Sequence, residues 1–124
     1  MEKERILVVD DEIEVCRTLK DFLVLKGYEV QTAQSGKEAL EKVKAFNPHV
    51  VLLDIIMPGM GGIDTMKEIK AIAPKTGIIM VTAVAEEKVA QKTLEIGAYD
   101  YILKPFDLEY LESVIMVKII DVLA

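Results

Sequence analysis

Five short runs rich in β-branched and aromatic residues recur along this 124-residue chain and constrain its fold more than any other feature. Each run predicts a β-strand, because each has strand length and is followed directly by a polar residue. The runs are Ile6–Val9, Tyr28–Ala33, Val50–Leu53, Ile78–Val81 and Tyr99–Leu103. Several are continuously apolar rather than alternating, so we expect a parallel sheet that is covered on both faces.

Segments with apolar residues at helical spacing follow each of these strands. Ser35 and Glu38 form a capping-box signature at the start of the second predicted helix. Gly27 and Gly97 are typical helix stops, and Asp107 is a typical N-cap for the last helix. The predicted helices span 12–26, 35–46, the segment from the glycine-rich 58–62 loop to residue 74, 86–96 and 107–124. Five βα units with right-handed crossovers predict one α/β domain over residues 1–124, a doubly wound sandwich.

Charge and cysteine content exclude several classes of function. Fifteen basic and 21 acidic residues give a net charge of −6, which disfavours direct nucleic-acid binding and adsorption to an anionic membrane. A single cysteine, Cys16, excludes an internal disulfide and a cysteine-rich zinc site. The sequence shows neither a signal peptide nor an apolar stretch of about 18 residues, so we expect a cytoplasmic protein.

Polar residues that suit phosphoryl chemistry follow four of the five predicted strands: Asp10 and Asp11, Asp54, Thr82 and Lys104. Ligands of open parallel sheets bind at the carboxyl ends of the strands, so these side chains are expected at one edge. Carboxylates crowded there repel one another, so either one of them is protonated or a cation lies among them, and oxygen ligands with room for water suit Mg²⁺. The chain has no glycine-rich phosphate loop, which disfavours a nucleotide as the phosphate source. An aspartyl phosphate, formed on one of the carboxylates, is the remaining interpretation.

The segments that carry these residues resemble the receiver domain of two-component response regulators, and the resemblance covers essentially the whole chain. The matching segments are ILVVDDE at 6–12, VVLLDIIMPGMGG at 50–62, MVTA at 80–83 and GAYDYILKPF at 97–106. The resemblance implies a flavodoxin-like (βα)5 fold with strand order 2-1-3-4-5. It further implies a switch that accepts a phosphoryl group from a sensor histidine kinase or a phosphotransfer protein.

The resemblance also assigns roles to individual residues. Asp54 is the implied phosphoacceptor, with Thr82 as the switch hydroxyl, Lys104 as the phosphate-pairing lysine and Tyr101 as the switch aromatic. The implied Mg²⁺ ligands are Asp10, Asp11, Asp54 and the backbone carbonyl of Ile56, and the Lys104–Pro105 bond is implied to be cis. Ile56 and Val84 are apolar where many receivers carry polar residues that steer the attacking water. We therefore expect a phosphoryl group with a longer lifetime.

Three other functions compete with this interpretation. An aspartate-nucleophile phosphatase of the haloacid dehalogenase type needs a second acid two residues after the nucleophile, where this chain has Ile56. A flavodoxin-like binding module needs a phosphate loop after the first strand, where this chain has acids. A degenerate receiver that binds partners without phosphorylation would lack part of the acid, hydroxyl and lysine set, whereas this chain has the complete set. We expect a switch that modifies itself rather than a turnover enzyme.

The last helix is more apolar than packing on one face requires. We expect Leu108, Leu111, Ile115, Ile119 and Val122 to face the sheet, which leaves four apolar residues partly exposed: Met116, Val117, Ile120 and Leu123. In the resembling family the face formed by helix 4, strand 5 and helix 5 is the usual dimer or partner surface, so a homodimer is one expectation. Structural or packing roles are expected for His49, Cys16, Met57, Met60 and Met66.

Overall fold

A computed structural model describes residues 3–124 of the chain, and within them five strands alternate with five helices. The strands are β1 (Arg5–Val9), β2 (Glu29–Ala33), β3 (Val50–Leu53), β4 (Gly77–Thr82) and β5 (Asp100–Leu103). The helices are α1 (Ile13–Leu25), α2 (Gly36–Phe46), α3 (Gly62–Ile72), α4 (Glu87–Ile96) and α5 (Leu108–Leu123). Each predicted element is present, and most bounds differ from the prediction by one or two residues.

The five strands form one parallel sheet in the order β2-β1-β3-β4-β5. The predicted α/β class and flavodoxin-like strand order are therefore confirmed. Sheet pairing also explains why two strands begin earlier than their apolar runs. Arg5 pairs with Glu29 at the start of β1, and Gly77 pairs with Val50 at the start of β4, so backbone hydrogen bonding extends both strands into residues that hydropathy alone did not include.

Alternate residues of the central strands enter two separate cores, one on each face of the sheet. On one face Ile6, Val8 and Leu52 pack with buried residues of α1 and α5. On the other face Leu7 and Val9 pack with buried residues of α2 and α3. Both faces of β1 and β3 are thus removed from water, which is why these strands are continuously apolar.

Helix ends follow the capping residues that the sequence contains. The Ser35 Oγ accepts a hydrogen bond from the Glu38 amide at 3.1 Å, as a capping box requires. The Glu38 carboxylate, however, accepts from the amide of Gln34, one residue before the cap, at 2.8 Å. Asp107 accepts from two amides of α5. Gly27 has a φ of 98°, a conformation that glycine adopts without steric cost.

Helix α5 divides into a buried face and an exposed face, as predicted. Leu111, Ile115 and Ile119 are buried against the sheet, while Leu108 and Val122 are half-buried. The four residues expected on the other face are exposed, with Ile120 highest at 67%. Across residues 3–124, no helix combines the length and the apolar character needed to cross a membrane.

The residues expected to have packing or structural roles are buried or half-buried. The Nδ1 of His49 accepts a hydrogen bond from the Arg5 amide at 2.9 Å, at the start of β1. Cys16, Met57 and Met66 are buried, and Met60 is half-buried.

Candidate functional site

The register of the sheet places the predicted site residues on neighbouring strand ends. Val9 pairs with Leu53, so Asp10 and Asp54 follow adjacent positions of β1 and β3. The Asp54 amide donates to the Val9 carbonyl at 3.1 Å, and the Lys104 amide donates to the Thr82 carbonyl at 2.8 Å. Sheet hydrogen bonding thus continues to the site residues themselves and fixes their backbones at one edge.

The ammonium of Lys104 lies between the two buried carboxylates. Its Nζ is 2.5 Å from Asp10 Oδ2 and 3.0 Å from Asp54 Oδ2. Asp10 is 2% exposed and Asp54 is 6% exposed, so both charges depend on partners rather than on water. Charge-assisted hydrogen bonds in such a setting are stronger than neutral ones. The peptide bond from Lys104 to Pro105 is cis.

Burial and charge shift the pKa values of this group in ways that reflect the geometry. Burial raises the pKa of Asp10 above its ordinary 3.8, and the hydrogen bond from Lys104 offsets part of that rise. Burial by itself lowers the pKa of Lys104, but its hydrogen bonds to Asp10 and Asp54 and their charges raise it overall. The ammonium of Lys104 is therefore held firmly in its charged form.

Three consecutive acids bring their carboxylates together at the end of β1. Oxygens of Asp10, Asp11 and Glu12 lie within 4.8 Å of one another, and the Glu12 amide donates to Asp10 Oδ1 at 2.9 Å. Asp54 adjoins this group through its shared contact with Lys104. The donor set consists of oxygens and leaves room for water at its exposed side, which fits Mg²⁺ rather than a soft metal.

The loop after β3 presents Ile56 at the rim of the site. The Ile56 amide donates to Asp54 Oδ1 at 3.3 Å, while its side chain is 64% exposed. Position 56 therefore offers a backbone amide to Asp54 rather than a second carboxylate beside it.

Thr82 and Tyr101 meet at a shared neighbour in the loop after β4. Thr82 is fully buried, and its Oγ1 accepts from the Val84 amide at 3.4 Å. The Tyr101 hydroxyl donates to the Val84 carbonyl at 2.6 Å. Burial, with the nearby charge of Asp54 as the next contribution, raises the pKa of Tyr101. A displacement of Thr82 would therefore reach Tyr101 through a single residue.

Residues 10–12 form the acid loop, and two contacts to it were not anticipated. Gln34, just after β2, donates its side-chain Nε2 to the Asp11 carbonyl at 3.3 Å. The Cys16 Sγ lies 3.3 Å from the Asp10 carbonyl and donates to it. A polar residue directly after β2 was the available signal for Gln34. Cys16 gave no such signal, since its position fits an ordinary core residue.

The chain is similar to a known protein family over most of its length. The model of the response regulator receiver domain family matches residues 6–116. Regulatory protein AtoC of Escherichia coli (strain K12) is 43% identical over 111 residues, which are 90% of this chain but 24% of AtoC. The chain therefore spans about a quarter of that relative's length.

A shorter relative and a solved structure match over most of their length. Chemotaxis protein CheY of Thermotoga maritima is 42% identical over 104 residues, 83% of this chain and 87% of that protein. CheY in the CheX-CheY-BeF3-Mg+2 complex from Borrelia burgdorferi is 31% identical, with a TM-score of 0.87, covering 92% of this chain and 87% of that one. On the strength of the matched domain, the shared sheet order and the strand-end residues, this chain belongs to the response regulator receiver domain family of two-component signalling systems.

Proposed function

We propose that this chain is a phosphorylation-dependent signalling switch in which Asp54 accepts a phosphoryl group from a phosphohistidine of a sensor kinase or phosphotransfer protein. The observation that carries the proposal is the position of the Lys104 ammonium, within 3.0 Å of both Asp10 and Asp54. A cation beside a buried carboxylate is the arrangement that can neutralise an incoming phosphoryl group. We place the reaction in the cytoplasm.

The acid loop is the proposed cation site. We assign Asp10, Asp11 and Asp54 as carboxylate ligands of Mg²⁺, together with the backbone carbonyl of Ile56. When bound, Mg²⁺ supplies positive charge that offsets both the clustered carboxylates and the phosphoryl oxygens. The all-oxygen donor set and the close approach of the acids within 4.8 Å support this assignment. The CheY of Borrelia burgdorferi that matches this fold was solved with Mg²⁺ and the phosphoryl mimic BeF3.

In the proposed step, a carboxylate oxygen of Asp54 attacks the phosphorus of the phosphohistidine. The phosphorus–nitrogen bond breaks and its electron pair stays on the imidazole nitrogen, which is then protonated by solvent. Lys104 turns part of its hydrogen bonding from the carboxylates to a phosphoryl oxygen. The hydroxyl of Thr82 donates to another phosphoryl oxygen, because it ends the neighbouring strand β4 at the same edge.

The switch follows from the contacts of Val84. When the Thr82 hydroxyl moves toward the phosphoryl group, its bond with the Val84 amide is lost. The loop that carries the Val84 carbonyl then shifts, and with it the hydrogen bond from Tyr101. Phosphorylation thus favours one arrangement of the β4–α4 loop over another and changes the surface offered to partners.

Two other functions predict different behaviour. A haloacid-dehalogenase-type phosphatase would turn over substrate, but its second acid would have to occupy the position of the exposed Ile56 side chain. A non-phosphorylated binding module would not need a lysine shared by two buried carboxylates. Both alternatives are decided by the phosphorylation test below.

That test is incubation with acetyl phosphate and measurement of the intact mass. We expect wild type to gain one phosphoryl group when Mg²⁺ is present and none in EDTA. Asp54→Asn should gain none, whereas Asp64→Asn, an exposed acid in the first turn of α3, should behave as wild type. A switch that loses its phosphoryl group to water also releases phosphate from acetyl phosphate, so the phosphatase would be favoured by turnover of a phosphomonoester such as p-nitrophenyl phosphate. Absence of any Asp54-dependent mass gain would overturn the switch.

We further propose that the exposed face of α5 joins a second copy of this chain through the α4–β5–α5 surface. Met116, Ile120 and Leu123 recur at positions i, i+4 and i+7, so they form one stripe, beside which Val117 is 56% exposed. Leu103 of β5 is also exposed, at 45%. An apolar stripe can pair with its own copy about a two-fold axis.

Analytical ultracentrifugation of phosphorylated and unphosphorylated protein tests this dimer. Ile120→Glu places a charge in the stripe and should weaken the association, since Ile120 is its most exposed member. Leu25→Glu is the matched control, because Leu25 is 86% exposed on α1, outside the proposed surface. A wild type that stays monomeric in both states at high concentration would contradict the proposal.

A further inference from the structure

The connection between β2 and α2 contacts the acid loop directly, although β2 contributes no acid, hydroxyl or ammonium to the site. From this contact we propose that Gln34 is a positioning residue that holds Asp11 ready for the cation. The inference rests on the proposed Mg²⁺ site and adds to it Gln34, which directly follows β2.

Asp10 and Asp11 are hydrogen-bonded to Ala33, the last residue of β2, and to Gln34, which follows it. The Asp10 amide donates to the Ala33 carbonyl at 3.0 Å, which continues the pairing of β1 with β2 by one step. The Gln34 Nε2 donates to the Asp11 carbonyl at 3.3 Å, where regular sheet pairing has ended. The side chain of Gln34 thus extends the β1–β2 pairing to the second acid.

The backbone of Gln34 is itself held in place. Its amide donates to the Glu38 carboxylate at 2.8 Å, and the Glu38 amide donates to Ser35 Oγ at 3.1 Å. Lys42 forms an ion pair with Glu38 at 3.5 Å. The first turn of α2 therefore fixes the point from which the Gln34 side chain reaches the acid loop.

The cap and the contact with Asp11 use different parts of Gln34. The cap uses only its backbone amide, and the acid loop receives only its side-chain amide. A substitution of the side chain consequently leaves the capping of α2 intact. This separation makes the positioning role testable without disturbing the helix.

The physical reason for such a tether is the mutual repulsion of the acids. Oxygens of Asp10, Asp11 and Glu12 lie within 4.8 Å of one another, and like charges at that distance favour an open loop. Asp10 is restrained by Lys104, whereas the restraint on Asp11 comes through its backbone. Without Gln34, cation binding would have to order the loop as well as bind the ion, which weakens apparent affinity.

Calorimetric titration of Mg²⁺ into the unphosphorylated protein tests this proposal. Gln34→Ala removes the amide, and Gln34→Leu removes the donor while it keeps a side chain of similar size. We expect both variants to raise the Mg²⁺ dissociation constant ~2- to 5-fold, as the loss of one hydrogen bond predicts. Gln91→Ala changes an exposed glutamine of α4; it is the matched control and should bind Mg²⁺ as wild type does.

Thermal unfolding in EDTA provides the readout that separates positioning from folding. A melting temperature lowered by no more than the few degrees that one lost hydrogen bond explains, combined with weaker Mg²⁺ binding, supports the positioning role. Unchanged Mg²⁺ affinity in both variants would overturn it and leave the proposed switch standing. Affinity lost only in step with a larger drop in melting temperature would also overturn it. A wild type that binds no Mg²⁺ would overturn both this inference and the cation site on which it rests.

Discussion

Replacing Lys104 by methionine is expected to destabilise the fold, because two buried carboxylates lose the ammonium that they share. The substitution keeps most of the aliphatic chain and removes the ammonium that contacts Asp10 and Asp54 at 2.5 and 3.0 Å. The two acceptor oxygens therefore lie at most about 5.5 Å apart, the sum of those two lengths. Within residues 3–124, no basic side chain other than Lys104 forms an ion pair with Asp10 or Asp54.

The size of the effect follows from that separation. Two unit charges about 5.5 Å apart repel by ~3 kcal/mol at an effective dielectric constant of about 20. Breaking a buried ion pair by removing one partner costs a similar amount, about 3–5 kcal/mol. We expect Lys104→Met to lower the free energy of unfolding by ~3 kcal/mol at neutral pH in EDTA. The pKa of Asp10 is already raised by burial, so lowering the pH protonates Asp10 and should diminish the loss.

Urea unfolding followed by far-ultraviolet circular dichroism measures this loss at several pH values, in EDTA and in saturating Mg²⁺. Saturating Mg²⁺ should restore much of the lost stability, because the cation replaces the missing positive charge. Lys92→Met, an exposed lysine of α4, is the control and should change little. A loss below ~1 kcal/mol that depends on neither pH nor Mg²⁺ would refute the reasoning.

Three further predictions concern the rest of the site. In EDTA, wild-type stability should fall as pH rises from 3.8, the ordinary pKa of Asp10, through its raised folded pKa, because the folded state then binds the proton more tightly than the unfolded state. Asp10→Asn should abolish that fall when urea midpoints are measured as a function of pH. A variant whose midpoints fall with pH as steeply as those of wild type would contradict the prediction. Tyr101→Phe removes the 2.6 Å bond to the Val84 carbonyl and should cost about 1 kcal/mol in urea unfolding. It should also speed amide exchange at Val84, where an unaltered rate would count against the coupling. Combining Ile56→Asn with Val84→Glu should shorten the phosphoryl lifetime several-fold in a mass-spectrometric decay, and an unchanged or slower decay would rule that out.

The sequence predicted which residues meet at the sheet edge, because that placement requires only that the strands be parallel. Asp10, Asp54, Thr82 and Lys104 each follow an apolar run, and parallel strands end at one edge. The order of the strands, by contrast, could not be predicted from the residues. A continuously apolar strand such as β3 carries no mark of its neighbours, so the order 2-1-3-4-5 came from the family resemblance rather than from the residues.

Contacts made by long side chains were beyond what spacing could show. Lys104 alone predicts a cation at the edge, but its sharing between Asp10 and Asp54 depends on how the sheet register places three strands. Likewise, Glu38 was expected to complete a cap with Ser35, yet its carboxylate accepts from the Gln34 amide. Such contacts depend on rotamers and on angstrom-scale backbone placement, which residue patterns do not encode.

Chemical mapping of the modified residue tests the central claim most directly. An aspartyl phosphate is reduced by borohydride to homoserine, so peptide mass spectrometry after treatment with acetyl phosphate, Mg²⁺ and borohydride marks the acceptor. The proposal predicts homoserine at position 54, dependent on Mg²⁺ and absent when borohydride is added without acetyl phosphate. Reduction at Asp10 or Asp11 instead, or none at any carboxylate, would contradict the assignment of Asp54 as the phosphoacceptor.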